Sequence, residues 1–225
     1  MTARAKGKAA ALVTCACLDV LSLATISFVY GPQLQGSTVM PTQAMDESQF
    51  WSIFEPVAAI DGEEIKEQEE VLAEQLSKLS DDELIAFQMT YERLHANAYR
   101  WDLWEVAYHT GGGCSDDSFA YFRNWLIGRG REAYYAVLEN PDDLADYPMG
   151  DDPMLTAQSV EWDLLPGQIW EERDESRDQD AWFEAVPPAE KNDHDSDPAG
   201  HPFDKSDTEG FRSRFPRLAK MYGIN

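Results

Sequence analysis

The chain has 225 residues, a formal net charge of −24, 43% hydrophobic and 12% aromatic content, and seven Trp. That much apolar and aromatic material excludes a wholly disordered chain, and the length holds one ordinary domain with appendages. Residues 1–44 carry a net +2, residues 45–147 carry −16 and residues 148–225 carry −10, a balance that argues against nucleic acid and makes basic proteins or metal cations the natural electrostatic partners.

The first 44 residues have a basic start and an apolar run over residues 9–30, the outline of a signal peptide or a single membrane span. Asp19 sits in the middle of the run. Nine strongly apolar residues contribute about 3–5 kcal/mol to insertion, and one central Asp costs roughly 2.5–3.5 kcal/mol, so most of the gain is cancelled. Two readings stay open: a mis-called start with the domain beginning near Met40 or Met45, or a secretory or membrane-anchoring leader. Membrane attachment is expected only if residues 1–44 are retained.

Six helices are predicted next. Phe50, Ile53, Phe54 and Val57 repeat at i, i+3, i+4, i+7 behind Asp46, with Pro56 near the helix end. Ile65, Leu72, Leu76 and Leu79 line one face of a second, strongly acidic helix. Ser80 and Glu83 form a capping box that opens a third, carrying Leu84, Phe87, Tyr91, Leu94 and Ala98. An aromatic-heavy fourth helix, RWDLWEVAYHT, stops at Gly111. Ser115 caps a fifth with Phe119, Phe122 and Leu126 inward, and a sixth runs from about Arg131 to Glu139 before Pro141. No segment alternates with period two, so residues 45–147 are predicted to form an all-α bundle.

After Pro148 the texture changes to acids, prolines and scattered tryptophans, and residues 148–225 read as an irregular acidic extension, with residues 187–210 the best place for disorder. Within it LPGQIWEE and AWFEAV have enough apolar surface to dock on the domain. The final FRSRFPRLAKMYGIN carries Arg212, Arg214, Arg217 and Lys220 without an acid, and is expected to dock on the chain's own acidic helices.

Chemistry is sought first in HTGGGCSDDSF, residues 109–119. Glycines before a helix start offer N–H groups to an anion, but Asp116 and Asp117 occupy the first turn themselves. Cys114 near a helix start, with His109 upstream, has the outline of a nucleophile, yet the same aspartates oppose a thiolate and no third partner completes a triad. His109, Asp116 and Asp117, or His194, Asp195, Asp197 and His201, match no spaced metal loop, so no metal, cofactor or catalytic residue is assigned. Arg100, Trp101, Asp102 and Trp104, with Arg123 and Trp125, form an aromatic and charged cluster suited to a pocket, a partner groove or a core. Cys114 is the lone thiol of the domain, which excludes an internal disulfide and fits a reducing cytoplasm.

The stretch AYRWDLWEVAYHTGGGCSDDSFAYFRNWLIGRGREAYYAVLENPDDLAD, residues 98–146, resembles the bacterial family called domain of unknown function 4240. The Gly-Gly-Cys-Ser-Asp-Asp run, the YFRNWLI helix and the Gly-Arg turn carry the resemblance. FW at residues 50–51 and LSDDELIAF are similar to the family's start, and LPGQIWEE and FPRLAKMYG continue it faintly. The resemblance implies an all-α domain of the bacterial cytoplasm and supplies no activity. The expected function is a non-enzymatic interaction or regulatory domain with a protein partner. The alternative is a small-ligand site or enzyme using residues 109–117 with Arg123.

Overall fold

The computed structural model describes residues 43–61, 64–149, 160–187 and 196–225, all within the unit Val39–Asn225. The leader readings of residues 1–42 lie outside the described residues. The first six helices stand where the sequence predicts them, and side-chain caps open the first, third and fifth. In α1 (Glu47–Ala58) the Asp46 carboxylate accepts the Ser48 N–H at 2.8 Å, and Phe50, Ile53, Phe54 and Val57 are buried. Helix α2 (Ile65–Ser77) buries Leu72 and Leu76.

Helix α3 (Asp81–Asn97) opens on a complete capping box: the Ser80 N–H donates to Glu83 at 2.8 Å and the Glu83 N–H to Ser80 Oγ at 3.3 Å. Helices α4 (Trp101–Thr110) and α5 (Asp116–Gly128) follow, then α6 (Gly130–Glu139) and a 3₁₀ turn, η1 (Pro141–Asp146). Helix α1 packs on α2, α3, α5 and α6, and its Phe50 stacks on Phe87 of α3 with ring centroids 4.8 Å apart.

The described residues after Met149 differ from the irregular extension that composition predicts. They form four short helices, α7 (Leu165–Glu172), α8 (Gln179–Ala185), α9 (Thr208–Arg214) and α10 (Pro216–Met221). Eleven helices and no strand stand among the described residues; an isolated parallel bridge joins Arg100 to Ala199. Val160, Trp162, Trp170, Trp182, Phe211 and Leu218 are buried in the same core as the first six helices. Burying a large apolar side chain gains about 1.5–3 kcal/mol, so seven-residue helices that are too short to stand alone hold their shape on the core.

Gly128 shows how the sequence admits this docking. A Cβ at that position would lie 1.9 Å from the Trp162 ring, so only glycine lets the indole reach α5. The segment 160–172 therefore completes the domain beyond residue 147. Arg173 and Arg177 both bind Asp81 at the start of α3, at 2.8 and 2.6 Å, and hold its carboxyl below the ordinary range.

The basic tail docks as its charge predicts. Arg214 pairs with buried Glu105, and Arg217 with Asp143 at 2.8 Å and with Asp146. Buried Asp142 accepts the N–H groups of Arg217 and Leu218 at 3.0–3.1 Å, capping α10 from another part of the chain. Of the stretch 187–210, residues 188–195 lie outside the described residues; residues 196–210 are placed, with the Ala199 N–H donating to Tyr99 O at 2.9 Å.

Candidate functional site

Residues 109–117 are a helix-to-helix junction. Gly111 caps α4, Gly112 adopts φ +68°, and the Gly113 N–H donates to Tyr108 O at 2.8 Å, which closes a Schellman motif. Ser115 then caps α5 by accepting the Ser118 N–H at 3.2 Å. Asp116 and Asp117 point to solvent in the first turn. Between the glycines and Ser115, Cys114 is buried, and burial pushes its thiol up to about 12. At neutral pH it is a thiol, the opposite of an activated nucleophile.

The aromatic cluster is bonded largely within the fold, and its Arg100 and Asp102 line an opening of about 640 Å³ with Glu105 and Phe203. Trp101 stacks on Trp104 at 5.4 Å and Trp104 on Phe119 at 4.8 Å, while Trp104 Nε1 donates to Cys114 O at 3.2 Å. Arg123 is 3% exposed, lies 4.8 Å over Tyr99 and 5.0 Å over Phe119, and donates to His95 O at 3.1 Å. Arg100 binds Asp102 through two nitrogens and Leu138 O at 2.6 Å. Trp125 is in the core. His109 packs 4.5 Å from the Phe211 ring, apart from Cys114's hydrogen bonds, and burial lowers its pKa. The structure thus joins Trp101, Trp104, Cys114 and Arg123 through contacts, and leaves Asp116 and Asp117 outside them. No group of three or more His, Cys, Asp or Glu among the described residues gathers as metal ligands.

A different opening lies between α3 and the α7–α8 pair. It is a cavity of about 560 Å³, lined by Gln88, Tyr91, Glu92 and His95 on one side and by Asp163, Glu171, Trp182 and Phe183 on the other. That volume falls in the range of ligand sites, about 300–1,000 Å³. Its polar floor is wired across elements: the Tyr91 hydroxyl donates to Asn124 Oδ1 at 3.0 Å, and Asn124 Nδ2 donates to Asp163 at 2.8 Å and to Val160 O at 2.7 Å.

Burial raises the Asp163 carboxyl, and burial with the nearby Asp163 charge raises that of Glu92. Burial and adjacent Arg123 hold His95 down to about 3. Neutral His95 therefore donates from Nε2 to Ala120 O at 3.2 Å and accepts Arg123 at Nδ1, also 3.2 Å. Two hydrophobic side chains stay exposed at this cavity, Leu164 at 43% and Phe183 at 63%.

Sequence reasoning missed this opening. Gln88, Glu92 and His95 occupy one side of a polar helix, and such a run reads as a solvated face until α7 is placed over it. The available signs were LPGQIWEE and AWFEAV, which had apolar surface enough to dock.

A family model described as a protein of unknown function, DUF4240, matches residues 45–172. The chain belongs to the DUF4240 family. The match runs past the bundle predicted at 45–147 and takes in α7, so the DUF4240 region supplies α3, Asp163 and Glu171 to the cavity. Gln179, Trp182 and Phe183 of α8 and the whole basic tail lie beyond it. No curated protein and no solved structure matches the chain. Among the described residues no helix is long and apolar enough to cross a membrane.

Proposed function

We propose that this DUF4240 protein is a non-enzymatic interaction domain that binds a basic segment of a partner protein across the α3–α7–α8 cavity, in a reducing compartment. One observation carries the reading: Glu92 and Asp163 have no ion pair with a Lys or Arg among the described residues, and they stand beside exposed Leu164 and Phe183. Elsewhere the chain pairs Asp81, Asp102 and even buried Glu105 with its own arginines. Carboxylates left without a cation next to apolar surface suit a partner that brings positive charge and hydrophobic contact together.

The reactive groups favour binding over turnover. Cys114 is held as a thiol, and Nδ1 of His95 is already engaged by Arg123. Neither is free to serve as nucleophile or base, which disfavours the reading built on residues 109–117. The test is quantitative capture from native cells with the full chain and with Leu164→Asp/Phe183→Asp. A basic partner that is retained by the parent chain, released by salt and lost from the double variant is the expected result. Equal recovery by both chains contradicts the reading.

A further inference from the structure

Resting on that reading, we propose that the cavity receives one arginine side chain of the partner, its guanidinium held by Glu92, Asp163 and the Gln88 amide oxygen and its plane lying on the aromatic walls. Among the groups that line the space, Glu92, Asp163 and the Gln88 amide oxygen are acceptors. Among the described residues Glu92 takes one hydrogen bond, from Gln88 Nε2 at 3.3 Å, and Asp163 takes one side-chain bond, from Asn124.

Gln88 adds an independent observation. Its side chain lines the cavity at 6% exposure with Nε2 spent on Glu92, and its Oε1 has no hydrogen-bond partner among the described residues. A buried amide oxygen left unsatisfied costs about 1–3 kcal/mol, a cost that a donor brought by the partner would relieve. Arg123 is near enough to favour the Asp163 carboxylate, but its NH1 ends on His95 Nδ1 and His95 O.

The walls choose arginine over lysine. Tyr91 and Trp182 are buried rings and Phe183 an exposed one, and aromatic walls suit a planar, weakly hydrated cation with five donors. The chain uses the same recipe on itself. Arg177 lies 4.2 Å over the Trp170 ring, donates to Asp81 at 2.6 Å and to Trp170 O at 3.0 Å. Apolar Leu164 and Phe183 extend the surface past a single side chain, which assigns the arginine to a peptide.

The test titrates the ¹⁵N-labelled full chain with a capped peptide bearing one central arginine flanked by apolar residues, and with its neutral isosteric citrulline counterpart. The arginine peptide is expected to shift amides of residues 88–95 and 163–168 and to bind at least about tenfold more tightly than the citrulline peptide. Glu92→Gln should weaken the arginine peptide by a similar factor and leave the citrulline peptide unchanged. Equal affinities, or a neutral Glu92→Gln, overturn the proposal, and so does free arginine binding as tightly as the peptide. If capture of the basic partner still depends on Leu164 and Phe183 while arginine and citrulline bind alike, the interaction reading stands and the arginine assignment falls. If capture ignores the rim as well, both fall.

Discussion

The α4–α5 junction and the α3–α7–α8 cavity differ in how their polar groups are satisfied. At the junction the glycines finish one helix, Ser115 begins the next, and Trp104 donates to Cys114 O. Arg100, Asp102 and Arg123 are bonded within the fold. At the cavity, Glu92 and Asp163 have no ion pair and a buried amide oxygen has no donor among the described residues. A concentration of reactive residue types marks a fold motif in the first case; unmet bonding capacity carries the proposed binding site in the second.

The largest expected effect tests whether the cavity wall is fixed. Trp162→Ala should cost about 3–5 kcal/mol in urea unfolding, because a fully buried indole seated against Gly128 is lost. A loss below about 1 kcal/mol would make residues 160–172 an appendage and dissolve the cavity. Comparable in free energy is the reactivity of Cys114. A thiol raised from 9.0 to about 12 holds roughly a thousandfold less thiolate at neutral pH, so labelling by a disulfide reagent should lag a model thiol by about that factor. Labelling as fast as glutathione would return the junction to consideration as a site.

Smaller effects sharpen the contrast. Asp142→Ala removes the cap of α10 and should cost about 1–2 kcal/mol, with faster hydrogen exchange at Arg217 and Leu218. Smallest is Glu92→Gln. In the folded chain Glu92 holds its proton more tightly than in the unfolded chain, so stability falls as pH rises from the ordinary carboxyl value through the raised one, and stays lower above it. The substitution removes that fall and should raise Tm at neutral pH by roughly 1–2 °C, a figure discounted for the solvent that reaches the cavity. A lower Tm would mean that Glu92 is paired internally.

Much of the fold was legible in the sequence and little of the site was. Ser80 with Glu83, Gly111 and Ser115 mark helix ends by local chemistry, and each stands where the structure caps a helix. The docking of residues 160–187 and 196–225 was legible only in fragments. Its helices are short, and the bonds that hold them, Arg177 to Asp81 and Arg217 to Asp142, join residues 96 and 75 positions apart. The cavity needed both levels at once. Glu92 meets Asp163 and Trp182 only after α7 and α8 settle on α3, whereas the residues at 100–104 and 109–117 attracted notice through proximity in sequence.

The most direct measurement is a carbon-detected titration of the Glu92 carboxyl in the full chain, alone and with the arginine peptide. The account predicts a free-state pKa above that of an ordinary glutamate, and a fall when the peptide binds, because a cation beside the carboxylate favours its charged form. An ordinary value that the peptide leaves unmoved would contradict the claim that this cavity waits for a positive charge.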